Sequence, residues 1–395
     1  MAKRTVEDVE LAGCRVFLRV DFNVPLGRDG EVMEDARIRA VLPTIALARQ
    51  RGARVVLASH LGRPNGKPDP KYSLRPVARR LGELLGGGVS LAPDCVGPPV
   101  EQATRALAAG GLLLLENLRF HAEEEANDAG FAGALARLGD VYVNDAFAAA
   151  HRGHASIEGI THHLRPAVAG LLMKRELQVL GRIFDAPARP LVAILGGAKV
   201  SDKLALVESL LGKVDGLLVG GGMAFTFLHA QGHEVGRSLL EADLVATAGR
   251  LLELARAQGV EVRLPVDTVV AESIETRAGT PVPVDRIPAD RMGLDIGPAT
   301  VAAFGEALRD SRTVVWNGPM GVFERPAFAA GTRGLARAVA ESPGLTVVGG
   351  GDTVAAVEQA GVADRIGYLS TGGGAFLEYL EGRTLPGVAA LDEAA

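Results

Sequence analysis

Short, nearly continuous apolar runs recur along the chain, and they restrict its possible folds more than any other feature. Ten of these runs are rich in valine, isoleucine and leucine. They cover residues 15–21, 54–59, 89–94, 111–118 and 141–147 in the first half, and 191–197, 216–221, 262–267, 313–318 and 345–351 in the second. Near-continuous apolar strands are typical of a parallel sheet that is covered on both faces.

Helical patterns lie between the apolar runs. Residues 44–52 and 244–259 both have helical spacing, and both end at a glycine, which commonly stops a helix. Strand and helix alternate in this way in each half, and 395 residues correspond to about two to three domains of ordinary size. We therefore predict an α/β fold of two doubly wound, Rossmann-like parallel-sheet domains joined by a helix hinge.

The segment 170–185 lies between the two halves and has its apolar residues on one helical face. The pattern fits a helix that links two domains, and it fits a core helix of one domain equally well. On the first interpretation the domains span residues 1–169 and 186–382. The tail 383–395 is rich in small residues and can fold back onto the first domain.

Composition excludes several classes of protein. The net charge of −5 argues against a protein that coats nucleic acid, since no excess of basic residues exists to release counterions. No run reaches the about 18 apolar residues of a membrane span, and the amino terminus lacks the apolar stretch of a signal peptide. We expect a cytoplasmic protein whose Cys14 and Cys95 are free thiols rather than a disulfide.

Polar and cationic groups follow the apolar runs of the first half. In open α/β sheets ligands bind beyond the carboxyl ends of the strands, so these groups are candidates for one site. Arg63, Arg119 and Arg152 follow three of the runs, and Arg37 lies in a nearby stretch. Several guanidinium groups together bind phosphate or carboxylate. A single arginine of this kind is more often a solvated surface residue, but four near strand ends indicate an anion site.

Glycines follow the runs of the second half. They occur in the stretches 196–203, 220–225, 317–324, 349–353 and 370–375. Glycine lets the backbone approach a ligand closely, and successive amides at a helix start bind phosphate oxygens. One such stretch is more often a tight turn, whereas five predict a nucleotide site. Lys199 and Lys203 could supply cations for phosphoryl transfer, and Asp352 could supply a carboxylate for magnesium.

Known nucleotide and zinc motifs are missing from the sequence. After Gly220, Gly349 and Gly372 the sixth residue of the G-x-G-x-x-G pattern is not glycine, which argues against a nicotinamide-dependent dehydrogenase. No Walker A pattern exists either. The eight histidines include no H-E-x-x-H and the two cysteines form no cluster, so the sequence alone does not indicate zinc. A non-catalytic nucleotide-binding protein stays possible, although it would not need both Lys199 and the arginine set.

The ordered set of motifs resembles the phosphoglycerate kinase family almost from end to end. It comprises RVDFNVP (19–25), SHLGRP (59–64), ENLRF (116–120), HRGHAS (151–156), GGAKVSDK (196–203), GGGMAFTF (220–227), WNGPMGVFE (316–324), GGGDT (349–353), STGGGA (370–375) and the LPGVAAL tail (385–391). Two departures are Phe376, where the family usually has a small residue, and Gly153. Phe376 raises a question of packing behind a phosphate loop, not of chemistry.

The resemblance implies a function and a set of site residues. The family transfers a phosphoryl group between 1,3-bisphosphoglycerate and ADP, giving 3-phosphoglycerate and ATP, with Mg²⁺. Its members are usually monomers with a phosphoglycerate-binding amino-terminal domain and a nucleotide-binding carboxy-terminal domain. By motif, the substrate residues are Asp21, Phe22, Asn23, Arg37, His60, Leu61, Gly62, Arg63, Arg119 and Arg152. The nucleotide residues are Gly197, Lys203, Gly221, Pro319, Val322, Glu324, Gly350, Gly351, Asp352 and Thr353. Arg37, Lys199, Gly351 and Gly373 take catalytic roles, and Asp352 holds the metal.

Overall fold

The chain contains fifteen strands within the part described by the computed structural model, residues 3–394. The strands are β1 Arg15–Arg19, β2 Arg54–Ala58, β3 Ser90–Leu91, β4 Leu112–Leu114, β5 Val141–Asn144, β6 Ala167–Ala169, β7 Leu191–Leu195, β8 Gly216–Val219, β9 Glu261–Arg263, β10 Asp267–Ala271, β11 Thr280–Pro283, β12 Met292–Ile296, β13 Thr313–Asn317, β14 Leu345–Gly349 and β15 Tyr368–Leu369.

Fourteen α-helices lie in the same described residues, with short 3-10 helices between them. They are α1 Ala36–Gln50, α2 Arg75–Leu85, α3 Pro98–Arg105, α4 Ala122–Glu125, α5 Ala129–Ala136, α6 Leu171–Phe184, α7 Leu204–Leu211, α8 Ala224–Ala230, α9 Val245–Ala257, α10 Pro298–Leu308, α11 Ala330–Glu341, α12 Gly351–Gln359, α13 Gly374–Leu380 and α14 Pro386–Ala389. The 3-10 helices are Pro70–Tyr72, Leu118–Phe120, Phe147–Ala149, Gly159–His162, Ala242–Leu244, Val284–Arg286, Pro326–Phe328 and Ala363–Arg365. None of the helices of residues 3–394 is both long and apolar enough to cross a bilayer.

The chain divides into two units, and the boundary falls inside α6. The first unit extends to Gln178 and takes up the chain again from Thr384, and the second is Val179–Arg383. Each unit is built on a six-stranded sheet in which every pairing is parallel, with strand orders β3-β4-β2-β1-β5-β6 and β15-β14-β13-β7-β8-β9. The predicted α/β class with two parallel sheets is confirmed.

Burial on both sheet faces explains why the strands are apolar throughout. In the first unit, β1 pairs with both β2 and β5, and Val16 and Leu18 are fully buried. Ile38 and Ile45 of α1 belong to the same core cluster. In the second unit, Trp316 of β13 and Phe304 of α10 are fully buried in one cluster. The continuous apolar pattern therefore reflects strands with helices packed on them.

The chain after Thr384 lies in the first unit and is joined to it by hydrogen bonds. Asn144 Nδ2 donates to the carbonyl of Gly387 at 3.2 Å, and the Asp392 amide donates to the carbonyl of Ala167 at 2.8 Å. Lys3 Nζ lies 2.6 Å from the Glu393 carboxylate. These contacts attach the last turn of chain to the edge of the first sheet, beside β6.

The sequence-based assignment of one strand to residues 262–267 was wrong. Glu261–Arg263 form β9 at the edge of the large sheet, and Asp267 begins β10 of a separate antiparallel sheet with the order β11-β10-β12. Pro265 lies between the two strands and has no amide hydrogen for a sheet ladder. The apolar run therefore bridges two sheets.

Candidate functional site

The first unit gathers polar side chains beyond the carboxyl ends of β1 and β2. Asp21 follows β1 and accepts a hydrogen bond from Arg37 at 2.6 Å, with Arg37 in the first turn of α1. Asn23 Oδ1 accepts from the Gly62 amide at 2.8 Å, which ties the β1 exit to the β2 exit. Arg63 follows Gly62 and is exposed. Parallel strands bring these sequence-distant groups to one edge.

Two of the predicted substrate residues have apolar side chains that are buried in the core, so only their backbone is available at the site. Phe22 is fully buried and Leu61 is 3% exposed, and both belong to the core of the first unit. The Leu61 amide donates to Asn117 Oδ1 at 3.2 Å, and Asn117 Nδ2 donates to the Leu61 carbonyl at 2.7 Å. The apolar side chains of the motif therefore anchor the loop in the core.

Arg119 is held at the same edge of the sheet. It lies in the 3-10 helix after β4, and its Nη1 donates to the carbonyl of Gly62 at 2.8 Å. Its Nε lies 3.1 Å from the Glu125 carboxylate. Burial and the neighbouring charge of Arg152 lower the pKa of Arg119 to about 10. This crowding of positive charge would be relieved by an anion.

A buried polar network that the sequence reasoning missed lies beneath these cations. Arg19 is 1% exposed, and its Nε donates to Ser156 Oγ at 2.8 Å while its Nη2 lies 3.3 Å from His60 Nδ1. Ser156 Oγ in turn donates to the buried carboxylate of Glu124 at 2.5 Å. The sequence offered one signal for this network, because Arg19 is a charged residue inside an apolar run.

His60 and His154 are neutral at physiological pH. Burial, followed by the charges of Arg19 and Arg119, lowers the pKa of His60 well below its usual value. The same causes lower the pKa of His154 to about 3. Arg152 Nε donates to His151 Nε2 at 3.2 Å, and the charge of Arg152 also lowers the pKa of both His60 and His154. The structure therefore brings Arg119 and Arg152, two of the predicted cations, within electrostatic reach of His60 and His154.

The glycine-rich loops of the second unit border a cavity of about 460 Å³. Six of the predicted nucleotide residues line it: Gly197, Gly221, Pro319, Val322, Glu324 and Asp352. The wall also includes residues that the motifs did not indicate, among them Phe225, Thr268 and Met292 to Ile296. Several of these belong to the antiparallel sheet, so the unpredicted sheet forms part of the cavity wall.

The glycines of these loops fall into two groups with different reasons for being glycine. A Cβ on Gly221 would lie 2.5 Å from the Gly197 carbonyl oxygen, and one on Gly318 would lie 2.2 Å from that of Gly196. These glycines allow neighbouring loops to pack against each other. A Cβ on Gly351 or Gly373 would meet no atom within 4 Å. Packing does not require glycine at these two positions, so they leave room for a ligand.

The loop after β14 leads directly into a helix. Gly350 has φ +94° and caps α12, and Gly351 is the first residue of that helix. Asp352 in the first turn is exposed. Thr353 is buried, and its Oγ1 accepts from the Gly318 amide at 2.7 Å, so its side chain fastens two loops together. First-turn amides with an exposed carboxylate beside them suit a phosphate and its counter-cation.

Two lysines lie in the loop that follows β7. Lys203 is half-buried, its Nζ donates to Asn317 Oδ1, and burial lowers its pKa to about 8. Lys199 is exposed. The carboxylate of Glu241, which no motif indicated, accepts from the amides of Val200 at 2.6 Å and Ser201 at 3.0 Å. Glu241 thereby holds the loop that carries Lys199.

The residues that departed from the motifs are accommodated by the fold. Phe376 is fully buried, and its ring lies against Gly349, where a Cβ would come within 2.4 Å of it. The aromatic ring therefore fills the space behind the end of β14. Gly153 is exposed, and a Cβ there would meet no atom within 4 Å.

Parallel α/β units of this kind, one with clustered cations and one with a glycine-bordered cavity, define an α/β phosphotransferase. The model of the phosphoglycerate kinase family matches residues 6–383. The phosphoglycerate kinase of Moorella thermoacetica is 58% identical to the chain, and the match covers 100% of both proteins. That of Koribacter versatilis is 55% identical, and the match covers 99% of both. Solved phosphoglycerate kinases from Coxiella burnetii and Pyrococcus horikoshii superpose with TM-scores of 0.90 and 0.86 at 42% and 36% identity, each with 98% of both chains covered.

The chain belongs to the phosphoglycerate kinase family. It is a phosphotransferase with a carboxyl group as acceptor, and its glycolytic substrates are 3-phosphoglycerate or 1,3-bisphosphoglycerate and ATP or ADP.

Proposed function

We propose that the two units divide the binding task between them. The cationic edge of the first unit binds the phosphoglycerate, and the glycine-bordered loops of the second bind the magnesium nucleotide. The observation that carries this proposal is the contrast between the two sheets. One presents guanidinium groups at its strand ends, whereas the other presents bare backbone at Gly351 and Gly373.

In the phosphoglycerate site, the arginines supply positive charge and the neutral imidazole supplies a hydrogen bond that orients the substrate. Arg63, Arg119 and Arg152 pair with phosphate and carboxylate oxygens, because a planar guanidinium matches both groups. His60 is uncharged, so it contributes a hydrogen bond of fixed orientation. Asp21 and Asn23 are suited to the substrate hydroxyl, and Asp21 also orients Arg37.

On the nucleotide side, the cavity takes the base and Glu324 takes the ribose hydroxyls. The nucleotide phosphates lie toward Lys203 and the start of α12, where Gly350 and Gly351 offer amides. Asp352 would hold Mg²⁺, since an exposed carboxylate oxygen is a ligand that this hard cation prefers. When bound, the ion neutralises phosphate charge.

The transfer step requires no general base. A carboxylic acid has a pKa near ~4, so the acyl carboxylate leaves, or attacks, as an anion at neutral pH. Catalysis then depends on positioning and on charge stabilisation by Lys199, Arg37 and the Gly351 and Gly373 amides. Because both substrates must meet in one site that excludes water, we expect a hinge movement at the 170–185 helix. We also expect a cytoplasmic monomer, as the family resemblance implies.

Replacing Lys199 by alanine tests the charge-stabilisation mechanism. The loss of one preorganised charge should lower kcat by about 10²–10³-fold, with little change in either KM, in a coupled assay of ATP formation. Lys71→Ala, at an exposed lysine of the first unit, is the control and should retain the parental kcat. If the kcat of Lys199→Ala stays within tenfold of the parental value, Lys199 does not stabilise the transition state.

A further inference from the structure

The fold brings together an aspartate, a cysteine and a histidine that the proposed function does not use. Asp94 and Cys95 lie in the loop between β3 and α3, and His121 follows the 3-10 helix Leu118–Phe120. One potential ligand atom from each residue, an oxygen, a sulfur and a nitrogen, lies within 4.8 Å of the other two. His121 Nε2 lies 2.7 Å from Asp94 Oδ1. No spacing motif in the sequence indicates this cluster, because its two segments are separated by β4.

We propose that Asp94, Cys95 and His121 form a binding site for a borderline divalent cation such as Zn²⁺. Sulfur, imidazole nitrogen and carboxylate oxygen are the ligands that zinc takes. Tetrahedral zinc with bond lengths of about 2.0–2.3 Å separates its ligand atoms by roughly 3.4–3.6 Å. The observed separations reach this range with small side-chain movements. Mg²⁺, which demands oxygen ligands, is a poor match for a site with sulfur.

Access and rigidity at the cluster suit an open three-ligand site. The Asp94 side chain is 48% exposed and that of His121 27%, so a cation and a water ligand can reach them from solvent. Cys95 is fully buried at the base of the cluster. The His121 ring stacks on Phe131 with the centroids 5.1 Å apart, which limits its movement. The more exposed Asp94 carboxylate can then close around an ion held between the buried sulfur and the restrained imidazole.

The charges around the sulfur favour a cation. The Asp94 carboxylate has an oxygen within 4.8 Å of the Cys95 sulfur and contributes negative charge to the cluster. On binding, the S–H bond breaks, its proton passes to solvent and a sulfur–metal bond forms. Thiolate and carboxylate together then balance the double charge of the ion, and the same negative surroundings that oppose a bare thiolate stabilise the complex.

Titration of the metal-free, full-length protein with Co²⁺ tests the proposal, because cobalt substitutes for zinc and reports its ligands. We expect a thiolate-to-cobalt charge-transfer band in the near ultraviolet, which saturates at one equivalent and disappears when Zn²⁺ is added. Excess Mg²⁺ should leave it unchanged. Cys95→Ser should abolish the band, whereas Cys14→Ser, at the other free cysteine, is the matched control and should retain it.

The partly exposed ligands provide variants that do not disturb the core. Asp94→Asn and His121→Gln should each weaken Co²⁺ binding by at least ~10-fold while circular dichroism and kinase activity stay at the parental level. The proposal is overturned if the parent gives no band at saturating Co²⁺, or if the band survives in Cys95→Ser. If Cys95→Ser fails to fold, unchanged Co²⁺ affinity in both exposed variants overturns it instead.

Discussion

At the residue scale, the site of the first unit depends on how buried charges are compensated. Arg19 and Glu124 are buried near the candidate substrate residues of the first unit and are linked through the Ser156 hydroxyl. Burial raises the pKa of Glu124, while the charge of Arg19 lowers it. His60 and His154 stay neutral beside this pair, because burial, followed by the charges of Arg19 and Arg119, lowers their pKa values.

Neutral His154 makes the stability of the chain depend on pH. Its pKa is about 3 in the folded state against 6.5 for the unfolded reference, so the unfolded chain binds the extra proton between these values. This contribution to stability is present above pH 6.5 and is lost as pH falls toward 3. We expect the acid limb of the stability curve, where the free energy of unfolding falls with decreasing pH, to be less steep in His154→Gln than in the parent. The difference in slope should be less than ~1.4 kcal/mol per pH unit, because the imidazole is partly exposed.

Urea unfolding at several pH values between 4 and 7 measures that slope. His163→Gln is the control, because His163 is an exposed histidine of the same unit. An acid limb as steep in His154→Gln as in the parent would contradict the assignment of a low pKa to His154.

Asp352 is predicted to govern the metal requirement. Removing its carboxylate leaves the nucleotide phosphates without their proposed protein-held cation, so Asp352→Ala should need at least ~10-fold more Mg²⁺ for half-maximal activity. The measurement is ATP formation against free Mg²⁺ at fixed ADP. Asp364→Ala, at a surface aspartate of the same unit, should leave the dependence unchanged. An unchanged Mg²⁺ dependence in Asp352→Ala would place the metal elsewhere.

At the element scale, the sequence predicted the central strands well, and the candidate site residues follow the ends of those strands. Continuous apolar runs predicted the central strands because parallel strands are buried on both faces. The small antiparallel sheet was missed because β11 is mostly exposed and carries two prolines, Pro281 and Pro283. The two-residue strand β15 was missed because Gly367 precedes it and Ser370 follows it, so its residues form no apolar run.

The residues behind the sites were less predictable than those in the motifs. Arg19 bonds to Ser156 across 137 positions, and Lys203 to Asn317 across 114. Only the topology of the sheets brings such partners together, so no local pattern reports them. The Asp94, Cys95 and His121 cluster has the same origin.

The two groups of loop glycines give a prediction about elements. Gly221 has φ +68° and its missing Cβ would overlap backbone, so Gly221→Ala should destabilise by more than the ~1–2 kcal/mol of the backbone conformation alone. Gly351 begins α12 with open space around it, so Gly351→Ala should keep the parental melting temperature. Its added methyl group should instead weaken nucleotide binding, because it occupies the space proposed for phosphate.

Calorimetric melting and ADP titration of the two variants separate stability from binding. A lowered melting temperature in Gly351→Ala, or parental stability in Gly221→Ala, would contradict this division of the glycines into packing and ligand positions.

At the scale of the whole molecule, we propose a division of labour in which each of two similar sheets binds one substrate. The same architecture, six parallel strands with helices packed on them, carries cationic side chains in one unit and exposed backbone in the other. Fold alone therefore does not assign the ligands, and our proposed assignment rests on the chemistry of the strand ends. Family membership fixes the overall reaction.

The most direct test is isothermal titration of the parent, Arg63→Ala and Gly351→Ala with 3-phosphoglycerate and, separately, with magnesium ADP. Loss of a charge-assisted hydrogen bond worth about 1.5–3 kcal/mol should weaken 3-phosphoglycerate binding to Arg63→Ala by roughly 10–100-fold and leave ADP binding near the parental value. Gly351→Ala should show the opposite pattern. If Arg63→Ala instead loses ADP affinity, or Gly351→Ala loses 3-phosphoglycerate affinity, the division of labour is wrong.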